Sequence, residues 1–300
     1  MLRWRITLGV TFAAVIVGLC WLDAHADQPG AWLAPLLLLI AVLAGDELLR
    51  MAKGIAAGTI AWAVHLGTVA IVAANFLPHF SRLAADGASA ALGTWGWPFL
   101  TLGGAMLLVL IVEMVRYRAP GVHAQRLALS ALVFLYVGAL VSFLAQLRFV
   151  GPGRNSGLVA LVSLAVVVKF ADIGAYTVGR LFGRHKMAPI LSPGKTLEGA
   201  AGAMLFACLG AWLALNVLAA PIAGEPVTPL VAWRWIVYGL VVGAAGLAGD
   251  LAESLLKRDL GRKDSSDWMP GFGGVLDLVD SILFAAPVAY ACWEFGLCRM

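Results

Sequence analysis

The sequence predicts an all-α, polytopic integral membrane protein with about nine transmembrane helices and a cytoplasmic N-terminus. Three observations carry that reading. Hydrophobic residues make up 61% of the 300 and charged residues only 13%, with a mean hydropathy of +0.90. Soluble domains run at about 45–50% apolar and about 25% charged. The apolar residues form continuous runs near the roughly 20 that cross a bilayer, without the alternation of barrel strands. Tryptophans flank those runs: Trp4 and Trp21 the first, Trp95 and Trp97 the fourth, Trp233 and Trp235 the eighth. That is the aromatic belt of a membrane interface.

In order, the predicted spans are Ile6–Leu22, Ala31–Leu48, Thr59–Leu77, Trp97–Val115, Leu127–Gln146, Gly157–Val178, Gly199–Ala219, Ala232–Asp250 and Val275–Leu297. With the N-terminus inside, 15 of the 21 Lys and Arg fall in inside segments and 5 in outside ones, and Lys169 lies within a span. This is a clear positive-inside bias. Residues 1–150 then hold about five spans, and residues 151–300 hold about four together with the longer inside loops. Arg3, Arg5, the first apolar run and Ala24-His25-Ala26 also resemble a cleavable signal peptide; cleavage removes one span and leaves the others oriented as before. Four cysteines, Cys20, Cys208, Cys292 and Cys298, are too few and too scattered for a disulfide framework or zinc cluster. The net charge of +4 is mild and dispersed, so nucleic acid is not an expected partner.

The first half carries little chemistry. Asp46, Glu47, Arg50 and Lys53 read as a solvated helix end, and Glu113 with Arg116 as a local pair at i, i+3. The character changes at Lys169. Lys169 and Asp172 lie inside the sixth span, where ionisable residues are costly and point to function, unless the two simply neutralise each other. Ser192-Pro193-Gly194-Lys195-Thr196-Leu197-Glu198-Gly199 combines small residues that admit an anion with a phosphate-binding lysine. It lacks the nucleotide P-loop spacing, and Ser192 or Thr196 also serves as an N-cap.

Two further stretches are stronger. Asp250, Ser254 and Lys257 are spaced i, i+4, i+7 and fall within an arc of roughly 60° on one helix, with Glu253 beside them. After Lys263-Asp264 and a Pro270–Gly274 turn, Asp277 and Asp280 share one face of the ninth span. Either carboxylate alone is explained as a helix cap. Both together, with Asp250 from another helix, are the oxygen ligands that Mg²⁺ shares with water and phosphate. Metal carboxylates, lysines and a glycine turn at a membrane surface suit phosphoryl or nucleotidyl transfer to a lipid head group.

These residues resemble the phosphatidate cytidylyltransferases, or CDP-diacylglycerol synthases. The family pattern S-x-x-K-R-x-x-x-x-K-D, a gap, then P-G-H-G-G-x-x-D-R-x-D is met by Ser254, Lys257, Arg258, Lys263, Asp264, Pro270, Gly271, Gly273, Gly274, Asp277 and Asp280. Ala171-Asp172-x-Gly174-Ala175-Tyr176, the Ser192–Gly199 stretch and Gly249-Asp250 are similar to that family too. The motifs cover about Lys169–Ser281; the first 150 residues match only in span layout. The resemblance implies cytidylyl transfer from CTP to phosphatidic acid, giving CDP-diacylglycerol and pyrophosphate. It implies Mg²⁺, with K⁺ beside it, held by Asp250, Asp277 and Asp280, and catalytic roles for Ser254 and Lys257 in the same site. Ser192, Lys195, Thr196, Arg258, Lys263, Asp264, Gly273 and Gly274 are the implied substrate contacts. It further implies a homodimer with its site open to the cytoplasm, and the high Ala and Gly content suggests a Gram-negative inner membrane. Two positions depart from the pattern: Phe272 stands where the family has His, and Leu278 where it has Arg. They put nucleotide and lipid choice in question and raise the rival of an inactive paralogue. Transfer from CTP to another membrane lipid, lipid phosphorylation and transport are the remaining rivals. Transport predicts midplane charges in several spans and repeat symmetry between halves; the sequence shows neither.

Overall fold

The computed structural model describes residues 2–80, 88–266 and 273–298. Each predicted span coincides with a helix: α1 (Leu2–His25), α2 (Leu33–Met51), α3 (Ala61–Ala73), α4 (Ala88–Arg116), α5 (His123–Leu147), α6 (Ser156–Phe182), α7 (Leu197–Val217), α8 (Ala232–Asp259) and α9 (Val275–Glu294). Among the described residues, six are long and apolar enough to cross a membrane: α4 from Leu92 onward, and α5 to α9. The protein is therefore a mostly helical membrane protein. α3 is only 13 residues long, and the end of α2 carries Asp46, Glu47 and Arg50. The chain is not purely helical. A two-stranded antiparallel hairpin, β1 (Lys186–Ala188) and β2 (Ser192–Thr196), stands where the sequence suggested a loop.

Helix ends follow local chemistry. Asp23 is fully buried and accepts from the Gly30 and Trp32 amides at 3.0 Å each, closing the turn into α2. Thr196 is the N-cap of α7, its hydroxyl accepting from Gly199 N at 3.1 Å. This is the capping role anticipated for it, and it satisfies one of the orphan amides of a first helical turn. α4 contains a break at Gly93, where φ is 65°, and α5 and α7 each widen into a π-helical stretch, at Phe134–Ala139 and Leu213–Val217.

The chain forms two compact units. One comprises Met1–Gln146 together with Leu260–Leu278; the other comprises Leu147–Asp259 and Val279–Met300. In the first, α3 packs on α2, α4 and the π-helical stretch of α5. A buried polar chain ties α5 to the end of α3: Asn75 Nδ2 donates to Ser142 Oγ at 2.9 Å, and Gln146 Nε2 donates to Asn75 Oδ1 at 2.9 Å. Such links between helices contribute about 0.6–2 kcal/mol each in a bilayer. Glu113 is buried and gathers His123 at 2.6 Å, Arg126 at 3.6 Å and Arg116 at 3.9 Å, so the expected local pair is one part of a larger cluster.

In the second unit α6 packs along α7, and α8 packs on both. Small residues permit the close crossing of α6 and α7: a Cβ on Gly202 would come within 2.7 Å of the Gly174 carbonyl oxygen.

Candidate active site

The second unit holds three lysine–carboxylate pairs on neighbouring elements. On α6, Lys169 Nζ lies 3.3 Å from Asp172 Oδ2, with both side chains about half exposed. From β2, Lys195 Nζ reaches Asp250 Oδ2 on α8 at 2.8 Å. On α8 itself, Lys257 Nζ meets Glu253 Oε2 at 2.7 Å, one turn apart. The pairs are not isolated from each other. Asp172 is within electrostatic reach of both Asp250 and Lys195, and Asp280 of α9 is within reach of Asp250. The sequence left open whether Lys169 and Asp172 merely neutralise each other. They do pair, and they also border the Lys195–Asp250 pair.

Gly249 explains how Asp250 and Asp280 come together. A Cβ at Gly249 would stand 2.9 Å from the Asp280 carbonyl oxygen and 3.1 Å from Ser281 Cα, and would overlap Phe284 Cβ. Only a hydrogen there lets α9 approach α8 at the turn that carries both acids. Asp280 and Glu253 are 6% and 1% exposed, and the two acids are near enough to influence each other. Neighbouring buried carboxylates repel one another, which favours a cation beside them. Asp250, Asp280 and Glu253 offer oxygen donors only, the chemistry that a hard divalent cation takes. Among the described residues no group of three or more His, Cys, Asp or Glu side chains is placed to hold a metal ion by itself. Mg²⁺ does not need one, since it keeps several waters and takes oxygens from substrate phosphates.

Lys195 is poised for an anion. Its ammonium is buried and paired with Asp250 by charge, yet no aligned hydrogen bond uses its donors. An ammonium has three donors, so it can face a carboxylate and a phosphate together. Ser254 is half-buried one turn from Asp250. Ser192 lies on β2, paired with Ala188, and Arg258 is exposed with Nε 3.5 Å from the Leu191 carbonyl of the hairpin turn.

The remaining sequence candidates lie in the first unit and are held differently. Asp277 Oδ2 accepts three donors: Ser265 N at 2.9 Å, Ser265 Oγ at 2.7 Å and Gly274 N at 2.8 Å. The amide of Gly274, anticipated as open to a phosphate, is thus engaged. Gly273 adopts φ 79°, and a Cβ on it would overlap the Asp277 carboxylate. Lys263 and Asp264 are exposed. Leu278 is half-buried on α9, and Phe272, with Pro270 and Gly271, lies outside the described residues.

One residue of this region was misread from sequence. Glu47 is not part of a solvated helix end; it is 4% exposed. Its Oε1 accepts from Val275 N at 2.9 Å, and its Oε2 from Leu276 N at 2.8 Å and Ser265 Oγ at 3.0 Å. Its neighbours Asp46 and Arg50 do face outward, paired at 2.6 Å. The signal was in the register: Glu47 is three residues past Ala44 and four before Met51, on the buried stripe of α2.

Apolar helices long enough to cross a membrane here carry, within one unit, neighbouring lysines and carboxylates, groups that can engage phosphates and cations. The comparison with known proteins narrows this: the chain belongs to the cytidylyltransferase family, which it matches over residues 3–295. It is 36% identical over 214 residues to the phosphatidate cytidylyltransferase of Mycobacterium leprae, a stretch covering 65% of this chain and 64% of that one. It is 40% identical over 139 residues to the phosphatidate cytidylyltransferase of Synechocystis, covering 45% of this chain and 43% of the relative. It is 38% identical over 136 residues to the uncharacterized protein YnbB of Escherichia coli, covering 45% and 43%. In each case the chain spans less than two thirds of the relative's own length.

Proposed function

We propose that this protein transfers a cytidylyl group from CTP to phosphatidic acid in the membrane, forming CDP-diacylglycerol and releasing pyrophosphate. The observation that carries the reading is the Gly249 contact, where α8 meets α9 at the turn that carries Asp250 and Asp280, with Lys195 paired to Asp250 and Lys257 to Glu253. A phosphatidate phosphate oxygen attacks the α-phosphorus of CTP, the bond to the β-phosphate oxygen breaks, and pyrophosphate leaves with that electron pair. The attacking phosphate is already ionised near neutral pH, so the chain needs no strong general base. Asp250 and Asp280 are the residues that would hold Mg²⁺, which would supply Lewis acidity to the phosphates, and the family resemblance adds Asp277 to them. Lys195 and Lys257 bind and orient phosphate oxygens, and Ser254 lines the same face of α8.

A lipid acceptor is supported by an apolar groove of about 360 Å³ between α7 and α8, lined by Ala200, Met204, Ala244, Leu247 and Leu251. It ends on the residue next to Asp250, so an acyl chain lying in it brings the lipid phosphate to the carboxylates. The basic-residue bias supports an odd number of spans, nine in this reading, with the N-terminus and the site on the cytoplasmic side, and the high Ala and Gly content with the bacterial relatives supports a bacterial inner membrane. The family resemblance supports a homodimer.

The test is direct. Protein purified in detergent is incubated with phosphatidic acid, labelled CTP and Mg²⁺. Labelled CDP-diacylglycerol from the wild type, abolished by EDTA and by Asp250→Asn, is the expected outcome. Label on another added lipid, or none on any lipid from folded protein, overturns the assignment.

A further inference from the structure

We propose that Glu47 is a positioning residue for the reaction: from α2 it fixes the first turn of α9 and, through Ser265, the carboxylate of Asp277. Its catalytic half rests on the function proposed above.

The first turn of a helix leaves backbone amides without partners, and a side chain just before the helix normally caps them. α9 cannot do this locally, because Gly273 and Gly274 precede it and have no side chains. Glu47 supplies the missing acceptors from a residue 228 positions away in sequence, one oxygen on Val275 N and the other on Leu276 N. Gly274 must be glycine for the same reason: a Cβ there would overlap Ser265 Oγ and Glu47 Oε2.

The second link is Ser265. Its hydroxyl lies 3.0 Å from Glu47 Oε2 and 2.7 Å from Asp277 Oδ2. A hydroxyl has one proton, so it cannot donate fully to both, and it is held between the two carboxylates. The Ser265 amide and the Gly274 amide complete the grip on Asp277. Two carboxylates at one helix N-terminus are both favoured by the helix dipole. Glu47 is buried, as suits a group whose work is to hold other groups, and Asp277 is the carboxylate so oriented. Carboxylates that ligate metals are typically oriented in this way by hydrogen bonds from behind.

Glu47→Gln and Glu47→Asp test the proposal by two readouts. The first is amide hydrogen exchange of the protein in detergent, without nucleotide or lipid. The second is the Mg²⁺ dependence of CDP-diacylglycerol formation, with kcat and the KM for CTP read separately. Gln keeps the shape but turns an NH₂ group toward an N–H donor. The expected result for Gln is faster exchange confined to the Ser265 and Val275–Asp277 amides. It should come with a Mg²⁺ half-saturation raised, or kcat lowered, by about 10–100-fold at a thermal midpoint close to wild type. Asp, which keeps both oxygens, recovers part of the loss. Unchanged exchange in Gln overturns the proposal outright. Faster exchange with wild-type kcat and Mg²⁺ dependence overturns it too, leaving Glu47 a structural cap. So does a loss that only tracks the fraction of folded protein. If the wild type itself makes no product, the proposed function fails and the catalytic half of this inference falls with it, while the exchange arm still decides whether Glu47 holds α9.

Discussion

Two groups of carboxylates in this protein are held in opposite ways. Asp250 and Glu253 face ammonium groups, those of Lys195 and Lys257. Glu47 and Asp277 face backbone amides and one hydroxyl. An ion pair can trade its cation: a carboxylate that releases a lysine can accept a metal, and the lysine can turn to a phosphate. A carboxylate that caps a helix cannot leave without orphaning buried amides, at about 1–3 kcal/mol for each donor left unsatisfied. The difference separates exchangeable chemistry from fixed scaffolding. Asp277 stands at the border, gripped like scaffolding on a helix that also carries Asp280.

The sharpest way to break the comparison is to neutralise the acids one at a time. Asp250→Asn, Asp280→Asn and Asp277→Asn should each lower turnover by about 10³-fold, since a metal clamp on phosphate supplies several kcal/mol. Membrane insertion should be unaffected, and labelled-CTP assays on equal amounts of folded protein read the result. Near-normal turnover in Asp277→Asn would move that residue wholly into the scaffolding group. Next in size is Gly249→Ala. The added methyl forces α8 from α9 beside the paired acids, and a displacement near 1 Å costs about 10²-fold in rate. Overpacking also costs about 1–3 kcal/mol of stability, so a thermal melt should accompany the kinetics. Activity retained in a stable Gly249→Ala protein would show that close approach of the two helices is not what assembles the site.

The sequence made most of the exchangeable group legible and almost none of the scaffold. Apolar runs locate helices because a lipid-exposed backbone must satisfy its own hydrogen bonds. Asp250, Glu253 and Lys257 lie within two turns of one helix, so spacing alone groups them. The partnership of Lys195 with Asp250 could not be read that way, since β2 and α8 are far apart in sequence and meet only through packing. Glu47 was harder still. It sits among Asp46, Arg50 and Lys53, and charge composition there describes a wet helix end. Only the register of Glu47 against Ala44 and Met51 sets it on the buried face, and nothing local says what it meets there. The hairpin was missed because Ser192-Pro193-Gly194 reads as turn chemistry, whereas its pairing with Lys186–Ala188 is a tertiary fact.

Lys195→Met is the intermediate case and sharpens the exchangeable side. It removes a charged donor from a phosphate, worth about 1.5–3 kcal/mol, so kcat/KM for CTP should fall by about 10–100-fold. Arg in its place keeps the charge but not the compact head that fits beside Asp250, so recovery should be partial. A Lys195→Met enzyme with unchanged kcat/KM would leave Lys195 only the neutraliser of Asp250.

Ser265→Ala should have the smallest effect, and its size is informative. The substitution deletes the hydroxyl that lies between Glu47 and Asp277. It leaves the Ser265 and Gly274 amides on Asp277, and the Val275 and Leu276 amides on Glu47. A single neutral hydrogen bond contributes about 0.5–1.5 kcal/mol, so turnover should fall by only about 2–10-fold. The thermal midpoint should scarcely move. If Ser265→Ala instead matches Asp277→Asn in severity, the hydroxyl is more than a spacer between two carboxylates. The border between scaffolding and chemistry would then lie at Ser265 rather than at Asp277. A kinetic comparison of the two variants at saturating Mg²⁺ decides between these, because extra metal offsets a loosened ligand but does not replace a missing one.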